Sequence, residues 1–586
     1  MAQHFYDDDD SPVFDALASL ALMRPNVSFD RAQKVIYRTS HNADTSVALI
    51  SGGGAGHEPA HAGYVGDGAL TAAVSGFIFA SPSVAQIVSA IQRVGGSAGV
   101  LLIIKNYTGD VFHFHLAAEK AKAAVKHIPV EVLVVGDDVA VGRAQSGKVG
   151  RRGLAGTVLV HKILGALSEQ GTPLPEVRAL GQDIVANLVT VGTSLGHVHI
   201  PGRASDEAVE ASNDAELGMG IHNEPGCRVL SPRPSLTSLI DTMLDQLLDE
   251  TDADRAYVTF SDKAASDNIV LLVNNLGGVS PLEFGGITAN VVRALAKRGI
   301  RPVRSLSGTY MTSLNGPGFS ITLLRATSQM VQLLDAPTTA VNWIPATNIY
   351  SDASEIEAES ASAESEVEEG APSGILLDRE LFQKAVAVAA ANVISQEATI
   401  TKHDRIVGDG DCGVTLARGA KAAASFAASL PTAETTDAVT VFRNLTAVVE
   451  NNMDGTSGAL YSIFFAALTA ALAQQTSGQV LGFKAWSAAV SEALARLQQA
   501  TPARQGDRTL MDGLEPFVYA LAKSDGSPAS LTAAVAAAKA GVEATKGMKA
   551  SLGRSVYVEA SNWEAVPDPG AVGVLAILEG IVSALS

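Results

Sequence analysis

Short apolar runs alternate with amphipathic stretches through the first half of the chain. "TSVALIS" (45–51), "GVLLII" (99–104) and "VEVLVV" (130–135) are nearly continuous and rich in Val and Ile. Such runs suit strands buried on both faces, as in a parallel sheet. Between them, "SPSVAQIVSAIQRV" and "HLAAEKAKAAVKH" carry helical spacing, so the texture predicts βαβ units. A second set of strands is predicted at "NIVLLVNNLG" (268–277), "RPVRSLSGTYM" (301–311) and "FSITLLRA" (319–326). Further on, strand-like runs nearly vanish, and Ala-rich amphipathic stretches begin near residues 378, 414, 436, 457, 484, 511, 530 and 570. Those starts predict an all-α bundle of eight helices.

The two textures are separated by "SDASEIEAESASAESEVEEGAPSG", Ser351 to Gly374. It holds Asp352, Glu355, Glu357, Glu359, Glu364, Glu366, Glu368 and Glu369 and no basic residue. A like-charged block interleaved with Ser and Ala repels itself and reads as a linker. The predicted fold class is therefore a two-domain chain. An N-terminal α/β domain of two subdomains covers 1–346, divided near 200 (about 1–200 and 201–346). An acidic flexible linker follows at 347–374, and a C-terminal all-α eight-helix bundle or barrel at 375–586.

Composition narrows the function classes. Of 586 residues, 47% are hydrophobic and 18% charged, which excludes wholesale disorder. A net charge of −19 argues against nucleic acid or an anionic membrane as partner, although the linker supplies eight of the negative charges. Two cysteines, Cys227 and Cys412, give no disulfide framework and fit a reducing compartment. The start "MAQHFYDDDDSP" is acidic where a secretion signal is basic, and no uncharged apolar run is expected to reach the ~18–20 residues of a membrane span. Together these predict a cytoplasmic protein.

Candidate chemistry sits in the glycine-rich segments. "SGGGAGHEPAHAG", Ser51 to Gly63, directly follows a predicted strand but has His57 where a dinucleotide fingerprint has its third glycine. Its glycines let backbone N–H groups approach a small polar ligand, with His57 as base or donor. "IIKNYTGD" places Lys105 and Asp110 at another strand end, where open α/β sheets bind ligands. "GMGIHNEPG", Gly218 to Gly226, holds His222 in a loop without metal-ligand partners; alone, it reads as a surface histidine. "GRAQSGKV", Gly142 to Val149, imitates a phosphate loop but ends in Val where a metal-binding hydroxyl is needed, and reads as a plain loop.

In the helical half, "HDRIVGDGDCGVT" sets Asp404, Asp409 and Asp411 among Gly408, Gly410 and Gly413, which predict a loop. Carboxylates packed this tightly suit Mg²⁺; an Asx-rich helix cap is the other reading. Thr456, Ser457 and Gly458 open an apolar helix and offer an anion site or a plain N-cap. "QGDRTLMDGL" and "MKASLGRSVY" add Arg508 and Arg554. Together these outline a nucleotide site without a phosphate loop.

These motifs, with "GRRGLAGTVLVHK", "VNNLGG", "GDRT" and "DPGA", resemble the single-chain ATP-dependent dihydroxyacetone (glycerone) kinases, in order from about residue 10 to the C-terminus. The resemblance implies transfer from ATP to dihydroxyacetone, and to glyceraldehyde as second substrate. It implies that His222 holds the C2 carbonyl as a hemiaminal. Gly54, Ala55, Gly56, His57, Lys105 and Asp110 are then substrate contacts, with Asp110 or His57 moving the proton. It implies two Mg²⁺ ions on Asp404, Asp409 and Asp411. Nucleotide contacts would be Cys412, Gly413, Val414, Thr415, Thr456, Ser457, Gly506, Met511, Arg554, Asp568, Pro569 and Gly570. A homodimer through the α/β domain is implied, and some relatives also cleave FAD to a cyclic flavin phosphate and AMP. Three departures stand out: Asp454 in "MDGTSG" where the family has Gly, His113 to His115 after "YTGD", and His199 in "SLGHVHIPG".

Overall fold

In the computed structural model the described residues are 4–123, 128–202, 213–260, 268–348, 372–475, 480–550 and 566–585. The chain divides into two compact units, Met1–Glu364 and Ser365–Ser586.

The first unit holds two six-stranded sheets. The first runs β1 (Val27–Asp30), β2 (Val35–Arg38), β4 (Ala72–Ile78), β3 (Ala48–Ala55), β5 (Val100–Lys105) and β6 (Val130–Val135). Its centre is parallel: β3 pairs with β4 and with β5, and β5 with β6. Every residue of β3 and β5 is buried, which is why both read as unbroken apolar or glycine runs. Helices Val84–Val94 and Thr108–Lys122 cover one face through Ile87, Ile91, Phe114 and Ala118. The second of these begins at Thr108, earlier than the periodicity of "HLAAEKAKAAVKH" suggests, so Asp110 lies in its first turn. The other face packs on the helix Thr157–Ser168, all of whose residues are buried.

The second sheet has the order β11 (Arg304–Gly308), β10 (Ile269–Asn275), β12 (Gly318–Arg325), β7 (Leu188–Ser194), β8 (Ala215–Leu217) and β9 (Arg228–Leu230). Only β10 and β11 pair in parallel; the other neighbours are antiparallel. Apolar runs report burial on both faces, not strand direction, so they do not separate this sheet from the first. The change of sheet also comes at Leu188 rather than near 200, because β7 already pairs with β12. "GRAQSGKV" contains a single helical turn, Arg143–Ser146, rather than loop throughout; Asp254 caps it, accepting the Ala144 N–H at 2.7 Å.

Among the described residues the second unit has eight helices: Arg379–Val407, Cys412–Ser429, Ala438–Asn452, Gly455–Leu472, Phe483–Ala500, Met511–Leu521, Pro528–Ala544 and Pro569–Leu585. A short antiparallel pair, Leu376–Asp378 with Thr435–Asp437, fastens the first helix start to the third. Gly413 is helical rather than in the expected loop. A Cβ there would lie 2.3 Å from Thr401 Oγ1 and 2.4 Å from the Glu397 carbonyl oxygen, so this glycine permits close helix–helix approach. The helix Gly455–Leu472 corrects the expectation about apolar runs: its 18 residues are uncharged, with a mean hydropathy of 1.4. Within the unit it shares Leu460, Phe464, Phe465 and Leu468 among neighbouring apolar clusters.

Candidate active site

Strand β3 ends in Gly54 and Ala55, and the chain continues through Gly56 to His57. A Cβ on Gly53 would stand 3.4 Å from Asp110 Oδ2 and 3.6 Å from Lys105 Nζ, so this glycine leaves a small cradle between the two side chains. At Gly56, φ is +97° and a Cβ would meet the Phe79 ring at 2.8 Å, which requires glycine. Lys105, at the end of β5, is fully buried, and its ammonium has no hydrogen-bond partner among the described residues. Burial pushes this ammonium down to about 8, against the pull of Asp110, Glu224 and Glu58. Asp110 Oδ1 is likewise buried and unpartnered among the described residues. Unmet donors and acceptors at this depth are costly unless a ligand or water completes them.

His57 and His222 lie 165 residues apart in sequence, yet their Nε2 atoms meet at 3.0 Å. His57 Nδ1–H donates to the Thr312 carbonyl at 2.8 Å. His222 Nδ1–H donates to Glu224 Oε1 at 2.9 Å. Both acceptors lack a proton of their own, so both Nδ1 atoms act as donors. The two Nε2 atoms can then bond only with one proton between them. Burial and the nearby Lys105 ammonium push the His57 imidazole well below its usual range.

Aromatic rings wall the pair: Phe79 stacks on His57 at 5.4 Å, and Tyr107 meets His222 edge-on at 4.5 Å. Phe79 holds φ +60°, an uncommon backbone for an aromatic residue. Sequence reasoning singled out His57, His222, Lys105 and Asp110, and the structure gathers all four. It missed Glu224, Phe79, Tyr107 and Thr312. Only Glu224 left a signal, as the sole acidic residue of the histidine's own loop. The departures lie aside: His113 Nδ1 donates to the Pro82 carbonyl at 2.8 Å, His115 is exposed, and His199 stacks on His4 at 5.4 Å.

In the helical unit, carboxylate oxygens of Asp404, Asp409 and Asp411 lie within 4.8 Å of one another. Asp404 is buried in the last turn of its helix and accepts the Cys412 N–H at 3.0 Å; the other two are exposed. An all-oxygen, multiply anionic group of this size fits a hard divalent cation. Cys412 to Thr415 form the first turn of one helix, Thr456 and Ser457 of a second, and Met511 and Pro569–Gly570 begin two more. These helix starts adjoin. Burial pushes the Cys412 thiol up to about 12, and Asp404, Asp568 and Ser457 are close enough to act on it as well. A Cβ on Gly570 would lie 3.6 Å from Leu510. Burial pushes the Asp568 carboxyl up to about 7, against its bond from the Ala571 N–H and the nearby Arg508. Several helix N-termini facing one region favour an anion.

Three residues of the helical unit stand apart from this set. Arg508 is 1% exposed and donates to the Thr545 and Val566 carbonyls. It thereby shapes the loop in which Gly506 N–H donates to Asp512 at 2.6 Å. Arg554 lies outside the described residues. Asp454 stands at the N-cap position of Gly455–Leu472 without a side-chain capping bond and pairs instead with Arg418 at 2.7 Å, its side chain 87% exposed.

Residues 18–342 match the Dak1 domain family and residues 406–583 the DAK2 domain family. The dihydroxyacetone kinase of Komagataella pastoris is 44% identical over 614 aligned residues, covering 100% of this chain and 99% of that one. The triokinase/FMN cyclase of Homo sapiens is 39% identical over 582 residues, covering 97% of each. Among solved structures, the dihydroxyacetone kinase from C. freundii in complex with AMP-PNP and Mg2+ covers 100% of both chains, with a TM-score of 0.59 and 32% identity.

Proposed function

The chain belongs to the single-chain dihydroxyacetone kinase family, and on that premise we propose that it phosphorylates dihydroxyacetone, with the substrate held covalently on His222. The carrying observation is the 3.0 Å meeting of the His57 and His222 Nε2 atoms, beside the unpartnered Lys105 ammonium and Asp110 carboxylate. A triose with a carbonyl at C2 separates the two rings. His222 Nε2 adds to the carbonyl carbon, and the carbonyl oxygen takes the proton that lay between the nitrogens. Lys105 donates to the substrate. Asp110 accepts the proton of the terminal hydroxyl as that oxygen attacks the γ-phosphorus, and ADP leaves. Glycerol offers no carbonyl, so covalent capture rejects it by chemistry where size would discriminate weakly.

ATP is the donor. Asp404, Asp409 and Asp411 would hold Mg²⁺, two ions in our reading, and the starts of the helices at 412, 455, 511 and 569 receive the nucleotide. Mg²⁺ bound there neutralises phosphate charge, which phosphoryl transfer chiefly needs. Glyceraldehyde is the proposed second acceptor, and the working form is a cytoplasmic homodimer through the α/β unit. ADP release with Mg·ATP and dihydroxyacetone, glyceraldehyde or glycerol tests this. Turnover with both carbonyl compounds but not glycerol, reduced on the order of 10²-fold in His222→Ala, is expected; turnover with no acceptor, or equally with glycerol, refutes it.

The name triokinase/FMN cyclase of the human relative favours one further activity, cleavage of FAD to a cyclic flavin phosphate and AMP on the helical unit. FAD incubated with Mn²⁺ and no acceptor should release AMP if it is present.

A further inference from the structure

The loop Gly218–Gly226 folds back so that Glu224 meets its own histidine twice. The His222 backbone N–H donates to Glu224 Oε2 at 2.8 Å, while His222 Nδ1–H donates to Oε1 at 2.9 Å. Asn223 makes the reversal possible: it has φ +63°, and its side chain accepts the Val198 N–H and donates to the Val198 carbonyl, both at 2.9 Å. Behind Glu224 stands Arg152 of "GRRG". Its Nε donates to Asp138 at 2.7 Å and its Nη2 to the Gly218 carbonyl at 2.6 Å. Gly220 leaves room for this approach, since a Cβ there would lie 2.1 Å from Glu224 Oε2 and 2.8 Å from Arg152 Nη1. Asp138, Arg152, Glu224 and His222 thus form a line of alternating charge ending on the imidazole.

Addition of His222 Nε2 to a carbonyl leaves a proton on Nδ1 and a carbon on Nε2. The imidazole becomes a cation, while the carbonyl oxygen has become a neutral hydroxyl with the proton from between the rings. Charge is conserved, and the positive charge now resides on His222. Resting on the hemiaminal reading above, we propose that Glu224 is a positioning residue that fixes His222 as the Nδ1–H tautomer, frees Nε2 to attack, and serves as counter-ion of the covalent adduct. Burial would raise the Glu224 carboxyl, but the hydrogen bonds and charge of His222 outweigh it and hold it down at about 2. The counter-ion is therefore ionised whenever the adduct forms. Arg152, anchored on Asp138, adds its positive charge near the carboxylate.

The test follows the adduct rather than turnover alone. With [2-¹³C]dihydroxyacetone and full-length protein, the ¹³C signal of C2 moves from the carbonyl to the tetrahedral region when the adduct forms. Glu224→Gln keeps the shape of the side chain and removes its charge, and should lower adduct occupancy at subsaturating substrate roughly tenfold or more. Its apparent KM should rise by a similar factor, with kcat per adduct little changed. Unchanged occupancy in a folded Glu224→Gln protein overturns the proposal. The wild type supplies an independent check: ¹⁵N spectra of histidine should show His222 protonated at Nδ1 in the free enzyme, and an unprotonated Nδ1 overturns the proposal whatever the variant does. His222→Ala keeps the two readings apart. If it retains the tetrahedral signal, the hemiaminal reading fails; if it loses the signal while Glu224→Gln keeps it, only the role of Glu224 fails.

Discussion

Lys105 and Asp110 are oppositely charged neighbours that do not satisfy each other, since Lys105 Nζ and Asp110 Oδ1 both lack a partner among the described residues. A direct ion pair would fill the cradle that Gly53 leaves open, and each instead keeps a hydrogen bond for a ligand. Lys105 titrates at about 8, below its ordinary value because burial disfavours its charge. Raising the pH through 8 removes the proton that makes it a donor. The KM for dihydroxyacetone should therefore rise above pH 8 with a one-proton dependence, measured between pH 7 and about 9.5, the range set by that value and the ordinary lysine near 10.4. Stability runs oppositely. The unfolded chain binds this proton up to the ordinary lysine value and the folded chain only to about 8, so this group alone makes folding more favourable as pH rises across that interval. Asp110→Asn addresses proton transfer. If Asp110 takes the hydroxyl proton, kcat should fall ~10²–10⁴-fold while the ¹³C adduct signal persists. Loss of the adduct with it would assign Asp110 to capture instead.

At the scale of elements, the kinase reading puts the nucleotide at helix starts in the second unit, and their placement depends on small residues at crossings. Gly413→Ala puts a methyl group 2.3 Å from Thr401 Oγ1 and 2.4 Å from the backbone oxygen of Glu397. The helix Cys412–Ser429 must then shift away from Arg379–Val407. Overpacking of this kind costs ~1–3 kcal/mol, so the unit's unfolding temperature should drop and the KM for ATP rise. Gly482→Ala is the control for packing, because a Cβ there meets nothing within 4 Å; it should leave the KM for ATP unchanged and cost stability only through its N-cap position. These crossings also mark where sequence stops being informative. Helix starts were legible to within a few residues because periodicity and capping are local. Gly413 was not, since glycines on both sides of Asp409 suggested one continuous loop, and only the packed Thr401 explains its helical state. Strand positions were legible from burial on two faces, but their direction in the second sheet was not. Glu224 escaped notice for a related reason: its meaning arises only when Asn223 turns the loop back on His222.

For the whole molecule, the chain joins two units that each bury their own apolar core. Among the described residues, the clusters around Leu49, Leu271 and Leu102 have no member from beyond residue 364, and those around Leu497, Leu445 and Ile400 have none from before it. Each unit should therefore fold when made alone, as residues 1–348 and 372–586, each with its own cooperative unfolding transition. The kinase reading requires both, because the residues proposed to hold the acceptor lie in one and those proposed to hold Mg·ATP in the other. Joining two modules in one chain replaces encounter in solution by a local concentration in the millimolar range. Equimolar fragments at micromolar concentration should accordingly form the ¹³C adduct on the α/β fragment and bind Mg·ATP on the helical one. Their ADP production should fall well below that of the intact chain and recover as both are concentrated. If the linker is a passive tether, replacing its acidic residues with Ser and Gly at constant length should leave turnover of the intact chain nearly unchanged. A large loss on that replacement would show that the eight carboxylates act on the reaction directly.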